Sequence, residues 1–325
     1  MTEPPFLSIN SLTISFPSEA GDFHAVDGIS LSIERGEILG LVGESGSGKS
    51  MTALAALDLI PPPGRVSNGQ IHVGGEDIAG LDHAGRLNLR GGRIGMIFQE
   101  PMTALNPTFT VGDQVSEAYR LHTDATETEA RDRAIDFMTR VGFRDAALRY
   151  NSYPHQLSGG MRQRAMIAMA LICEPELLIA DEPTTALDAT VQAQILDLLL
   201  EMREQLGLAI LFISHNLAVV SELADRVTII YAGKIMETLP AAALANGARH
   251  PYTTGLLETL PSLEKRGQPL PVLEGILTDE DRQHAGCPFA PRCPDAIEAC
   301  SEEMPSLRPL SDVHCAACHA VVGAQ

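Results

Sequence analysis

Short apolar runs alternate with amphipathic stretches over roughly the first 240 residues of the chain. Ile38–Val42, Ile94–Phe98, Leu177–Ala180, Ala209–Ile213 and Arg226–Ile230 are the strongest runs and predict buried strands. Between them the pattern predicts helices from Lys49 to about Leu59, from about Ala189 to Leu206 and from about Leu217 to Ala224. Pro61-Pro62-Pro63-Gly64 stops the first and Gly207 closes the second. Such alternation is the mark of an α/β domain with a mostly parallel core sheet. From about 100 to 172 it fails. Ala134, Phe137, Met138 and Val141 fall at helical spacing there, which predicts a helical subdomain inserted between two strands. After Tyr231 the pattern weakens, and Leu239 to Pro271 is rich in Pro and Gly. The expected division is therefore 1–240 for the α/β domain and 241–325 for a C-terminal extension. No internal repeat is visible, so one such domain is expected.

Charge narrows the function. The 325 residues hold 23 Lys and Arg against 42 Asp and Glu, a net charge of −19. Non-specific nucleic-acid binding and a basic membrane-surface helix both need the opposite sign. The best apolar run, Ala165–Cys173, falls well short of the roughly 18 residues that a bilayer span requires. Met1-Thr-Glu-Pro-Pro5 carries neither the basic nor the apolar segment of an export signal. The expectation is a cytoplasmic chain that meets a membrane only through partners.

Gly43-Glu44-Ser45-Gly46-Ser47-Gly48-Lys49-Ser50 fits G-x-x-x-x-G-K-[ST] and lies between a predicted strand and a predicted helix. Glycines at these places let successive backbone N–H groups turn inward around phosphate oxygens, and the helix N-terminus adds positive potential. Lys49 would reach the outer phosphates of ATP, and the Ser50 hydroxyl would ligate Mg²⁺. Leu177-Leu-Ile-Ala-Asp181-Glu182 ends an apolar strand in two carboxylates, at the end where open α/β sheets bind ligands. Asp181 would hold Mg²⁺, and Glu182 would orient or deprotonate the attacking water.

Further motifs carry a resemblance. Leu157-Ser158-Gly159-Gly160-Met161 precedes a helix, Gln99 ends the Ile94 strand, Ala186-Leu-Asp188 follows the acidic pair, and His215 follows the Ala209 strand. Together with the phosphate loop, in this order, they resemble the ABC ATPases over about residues 6–235. Ala25-Val-Asp-Gly28, Phe98–Pro107, Tyr153–Met161 and His250-Pro-Tyr-Thr253 resemble the peptide-importer branch. The resemblance implies that Ser158, Gly159 and Gly160 close on ATP held by an opposing cassette. It implies that Gln99 contacts Mg²⁺ and water while its loop meets a permease, and that His215 contacts the γ-phosphate. Phe16 is a candidate to stack on adenine, with an edge-strand core role equally open. Asn216 departs from the family's usual Asp after the switch histidine, and Met161 is normal for the peptide branch. The implied partners are two permease subunits, a second ATPase subunit and an extracytoplasmic solute-binding protein, at the cytoplasmic face of the membrane. The alternative is a soluble ABC ATPase without a transport role.

Five of the six cysteines fall in the last 39 residues, too few overall for a disulfide scaffold but concentrated enough for a metal or cluster. Cys287, Cys293, Cys300 and Cys318 resemble the [4Fe–4S] ligands of some peptide-importer ATPases, with Cys315 left as a spare. Thiolates suit zinc as well, and Cys315-x2-Cys318 with His314 and His319 nearby keeps that option open, as it does plain thiols. Cys173, in an apolar stretch, reads as core packing.

Overall fold

The computed structural model describes residues 4–19, 21–99, 104–185, 187–260 and 271–322. Ala186, and the Glu100–Thr103 part of the motif after Phe98, lie outside the described residues. The chain forms two compact units, each discontinuous in sequence.

One unit comprises Ile33–Glu37 and Ile78–Leu211, with the N-terminal residues through Phe6. In it β6 (Ile94–Ile97) runs parallel to β7 (Leu177–Asp181), with Ile94 opposite Leu177 and Ile97 opposite Ala180. Every residue of β7 is buried, as its apolar run requires. Between these strands in sequence lie the helices Val111–Arg120, Glu127–Arg140 and Gly159–Leu171, the expected helical insertion. Phe137, Met138 and Ala134 are fully buried on one face of the middle helix, and Thr126 with Glu129 forms a capping box at its start. Gly95 is obligatory in β6. A Cβ there would lie 2.2 Å from the carbonyl oxygen of Ala170, so only glycine lets that helix pack so close. Glu176, just before β7, accepts from Arg35 at 2.7 Å and from Arg93 at 3.1 Å. Burial works against its charge, but the two guanidiniums hold its pKa below the ordinary carboxylate value.

The other unit comprises Leu7–Ser32, Ile38–Asp77 and the chain from Phe212 onward. Here β1 (Leu7–Ser18), β2 (Gly21–Ile33), β4 (Arg65–Val73) and β5 (Glu76–Asp77) form a four-stranded sheet in the order β2-β1-β4-β5, with antiparallel pairing of β4 to β1 and to β5. β3 (Ile38–Val42), buried throughout, runs parallel to β9 (Arg226–Tyr231). β10 (Lys234–Pro240) is antiparallel to β9 and to β12 (His314–Ala316), which pairs with β11 (Arg308–Ser311). β8 (Ala209–Ser214), buried at every position, changes unit after Leu211.

The sheets are thus more antiparallel than the hydrophobic pattern predicts. β4 is largely exposed and polar and presents no apolar run. β10 hides its character because Glu237 stands in its middle, yet that carboxylate is fully buried. It accepts from the backbone N–H groups of Arg249 and His250 and pairs with His314 Nε2 at 2.8 Å. The helix after the phosphate loop, Lys49–Ala56, also ends before the expected Leu59.

Candidate nucleotide site

The phosphate loop joins β3 to the helix Lys49–Ala56. Gly46 and Gly48 have φ of 77° and 110°, a backbone that side-chain-bearing residues rarely adopt. Gly43 and Gly48 are also closed to any side chain, since a Cβ would meet the carbonyl oxygens of Ile230 at 2.1 Å and Ala25 at 2.7 Å. Lys49 is 6% exposed, and its ammonium donates to the carbonyls of Gly43 and Glu44, both at 2.8 Å. The Ser47 hydroxyl is buried and, among the described residues, has no hydrogen-bond partner. Ser45 is exposed and Ser50 half-buried, at the outer side and at the helix start. A backbone concavity with a buried ammonium fits phosphate oxygens.

Three groups from the far C-terminal part of the same unit reach this loop, and the sequence reading missed all of them. The hydroxyl of Tyr252 accepts from the Glu44 N–H at 3.0 Å. Arg292 Nη1 lies 3.0 Å from the Glu44 carboxylate and 3.1 Å from the Tyr231 hydroxyl. Arg282 donates to the carbonyl of Gly46 and, at 3.4 Å, to that of Ala25, with its guanidinium over the Phe23 ring. Burial disfavours the charge on Arg292, but Glu44 and Tyr231 outweigh it and raise its pKa. Burial first, and then the nearby negative groups, push Tyr231 up to about 12. A lone Arg at long sequence separation carries no local pattern, so no periodicity could have revealed these contacts.

In the other unit, Asp181 closes β7 and Glu182 follows it in the left-handed region at φ 47°. That conformation is costly for a non-glycine residue, and such residues cluster at functional sites. Gln99 Nε2 donates to Glu182 Oε2 at 3.0 Å, and Thr185 Oγ1 donates to the same oxygen at 2.9 Å. Two predicted site residues, Gln99 and Glu182, are therefore in direct contact. Ser158 caps the helix Gly159–Leu171 by accepting from the Met161 N–H. Gly159 is exposed, whereas a Cβ on Gly160 would meet Val191 at 2.7 Å.

His215 is exposed just after β8. Asn216 caps the helix Leu217–Leu223, its side-chain oxygen accepting from the N–H groups of Ala218 and Val219. Asn and Asp cap about equally well, so the cap is kept at this departure from Asp. Phe16 is half-buried against Gly64, where a Cβ would lie 2.5 Å from its ring.

The C-terminal cysteines separate by position. Cys287, Cys293, Cys300 and Cys318 line one small cavity together with His250, Asp295 and His319. Cys315 instead pairs on β12 with Thr238, and His314 is engaged by Glu237. Burial pushes the Cys287 thiol up to about 11 and raises those of Cys293 and Cys318. Among the described residues no three His, Cys, Asp or Glu side chains come together as a single-ion metal site. Cys173 is half-buried and its thiol is pushed up to about 11 by burial, in keeping with a packing role.

Comparison with known proteins decides the family. The model of the ABC transporter family matches residues 26–185, and that of the oligopeptide/dipeptide transporter C-terminal region matches residues 236–300. The dipeptide transport ATP-binding protein DppD of Escherichia coli (strain K12) is 46% identical over 313 residues, covering 96% of each chain. This chain belongs to the ABC transporter family. A putative peptide import ATP-binding protein of Brucella melitensis is 45% identical over 330 residues, covering 98% of each chain. Among solved structures, the dimeric ATP-binding cassette MJ0796 in a post-hydrolysis state, bound to ADP and Pi, matches with a TM-score of 0.65 at 25% identity, covering 72% of this ABC chain and 98% of that one. No helix among the described residues is long and apolar enough to cross a membrane.

Proposed function

We propose that this chain is the ATP-hydrolysing subunit of an importer of dipeptides, oligopeptides or similar solutes. The observation that carries the reading is the conjunction, in one chain, of an ABC transporter match containing the phosphate loop and a match to the C-terminal region of oligopeptide/dipeptide transporters. Residues 1–240 form the ATPase module and 241–325 the extension.

Each residue has a chemical task. The backbone N–H groups of Gly43–Ser50 wrap the β- and γ-phosphates of ATP, and Lys49 leaves its carbonyl partners to meet the phosphate charge. Bound Mg²⁺ neutralises charge that develops on the phosphate oxygens, with Ser50, Asp181 and Gln99 as the residues that would hold it. Glu182 orients and deprotonates the attacking water, its carboxylate fixed by Gln99 and Thr185. His215 contacts the γ-phosphate. Ser158, Gly159 and Gly160 offer a second phosphate cradle to the nucleotide of an opposing cassette, so two cassettes enclose two ATP molecules head to tail. The opposing cassette is a second, different ATPase subunit. Their closing and reopening drive two permease subunits at the cytoplasmic face of the membrane, and a solute-binding protein delivers the cargo.

The extension holds a [4Fe–4S] cluster on Cys287, Cys293, Cys300 and Cys318. Support comes from the small cavity that the four thiols line together, since thiolates are the usual ligands of such clusters. Burial raises the thiol pKa of Cys287, Cys293 and Cys318, so loading displaces protons there.

The test is a mild-detergent pull-down of the tagged chain from native membranes, with partners identified by mass spectrometry. Two multi-span permeases and a second ATPase are expected. Recovery without any permease would overturn the transport reading in favour of a soluble ABC ATPase.

A further inference from the structure

A carboxylate is an awkward occupant of a phosphate-binding loop. Glu44 is its second residue, and an uncompensated charge there would repel the phosphate oxygens that the loop gathers. The compensation comes from almost 250 residues away in sequence. Arg292 is 9% exposed and Glu44 24%, so their 3.0 Å ion pair is poorly screened by solvent. The guanidinium is further fixed by donating to Tyr231 at 3.1 Å and to the carbonyl of Glu274 at 2.8 Å. Its backbone is equally constrained. Arg292 ends the turn Ala290–Arg292, between Cys287 and Cys293. Phe289, from the same stretch, packs in a cluster with Tyr231 and Tyr252, at ring separations of 5.5 and 5.1 Å. Tyr252 completes the circuit by accepting from the Glu44 N–H, and Arg282 holds the carbonyl of Gly46.

We propose that Arg292 is a positioning residue of the phosphate loop, which neutralises Glu44 and makes nucleotide affinity depend on the packing of the Cys287–Cys293 segment against that loop. The inference rests on the reading of Gly43–Ser50 as the nucleotide site. Coupling of this kind is reciprocal: if the segment favours nucleotide, nucleotide must favour the packed segment to the same extent.

The test uses the full chain and ADP, with affinity measured calorimetrically and amide hydrogen exchange followed across residues 287–293. Lys49→Ala checks the underlying site and is expected to lose ADP binding. Arg292→Met is expected to weaken ADP on the order of ten-fold, the size of a typical coupling between sites. Glu44→Gln with Arg292→Met is expected to recover most of that loss, because no bare carboxylate remains. ADP is expected to slow exchange across 287–293 in the wild type and not in Arg292→Met. Wild-type affinity in Arg292→Met, with binding lost in Lys49→Ala, would overturn the proposal and leave the nucleotide site standing. Wild-type affinity in both would overturn the site itself. Should Arg292→Met not fold, Arg292→Gln takes its place: the same ten-fold loss of ADP affinity is expected, and wild-type affinity would overturn the proposal.

Discussion

Gln99 Nε2 and Glu182 Oε2 stand 3.0 Å apart, and the glutamate holds its backbone in the left-handed region. A hydrogen bond from a neutral amide steadies the carboxylate without cancelling its charge, which suits a group that must attract a proton from water. Replacing Glu182 with Gln keeps the shape and removes the basicity. ATP turnover is expected to fall at least a hundred-fold, within the range attributed to general bases, while ATP binding stays intact. Phosphate release alongside equilibrium binding of a fluorescent ATP analogue reads both, and normal turnover would reassign the base.

Gly48 offers a sharper steric test. With φ at 110° and the Ala25 carbonyl 2.7 Å from any added Cβ, Gly48→Ala must displace backbone rather than a flexible side chain. The expected outcome is loss of nucleotide-induced thermal stabilisation, measured by calorimetric melting with and without Mg²⁺-ATP.

Asn216 separates capping from chemistry. Asn216→Asp preserves an acceptor for the N–H groups of Ala218 and Val219 and is expected to leave stability unchanged. Asn216→Ala is expected to cost about 1 kcal/mol in urea unfolding, the usual worth of an N-cap.

Glu176 supplies the pH dependence. Its pKa in the folded chain lies below the unfolded value of 4.5, so its contribution is complete above that pH and is lost as pH falls through the lowered value. At neutral pH Glu176→Gln is expected to cost on the order of 1 kcal/mol, a modest figure because the carboxylate is 38% exposed and screened. The gap from wild type should narrow on acidification below 4.5. A gap that stays constant with pH would mean that Arg35 and Arg93 do not lower this carboxyl.

The cysteines predict colour. Anaerobically purified protein is expected to absorb in the visible range and to contain iron with sulfide. Serine at 287, 293, 300 or 318 should abolish the absorbance, while Cys315→Ser should spare it. Colourless protein with stoichiometric zinc would replace the cluster with a single ion.

Sequence carried the chemistry further than the architecture. The phosphate loop, the strand-end acids and the helical insertion are local patterns, because each is set by residues within one turn or one strand. β10 escaped because its most buried polar residue, Glu237, looks like a surface position until Arg249, His250 and His314 are folded around it. The polar β4 escaped for the same reason: its pairing with β1, rather than its own hydrophobicity, makes it a strand. Arg282 and Arg292 escaped because an arginine acquires a role only from what folding brings beside it.

The way the C-terminal strands finish bears on solubility. β12 takes up the free side of β10, and β11 in turn becomes the outermost strand, only four residues long and carrying Arg308 and Pro309. A short border with a proline and a charge is a poor template for a neighbouring chain. Shorten the protein before Arg308, and β10 would lose its partner at Glu237 and Thr238 and become an edge strand, with Glu237 stripped of His314. Such a truncated chain should self-associate in solution while the intact one does not, making the last two strands a guard against aggregation.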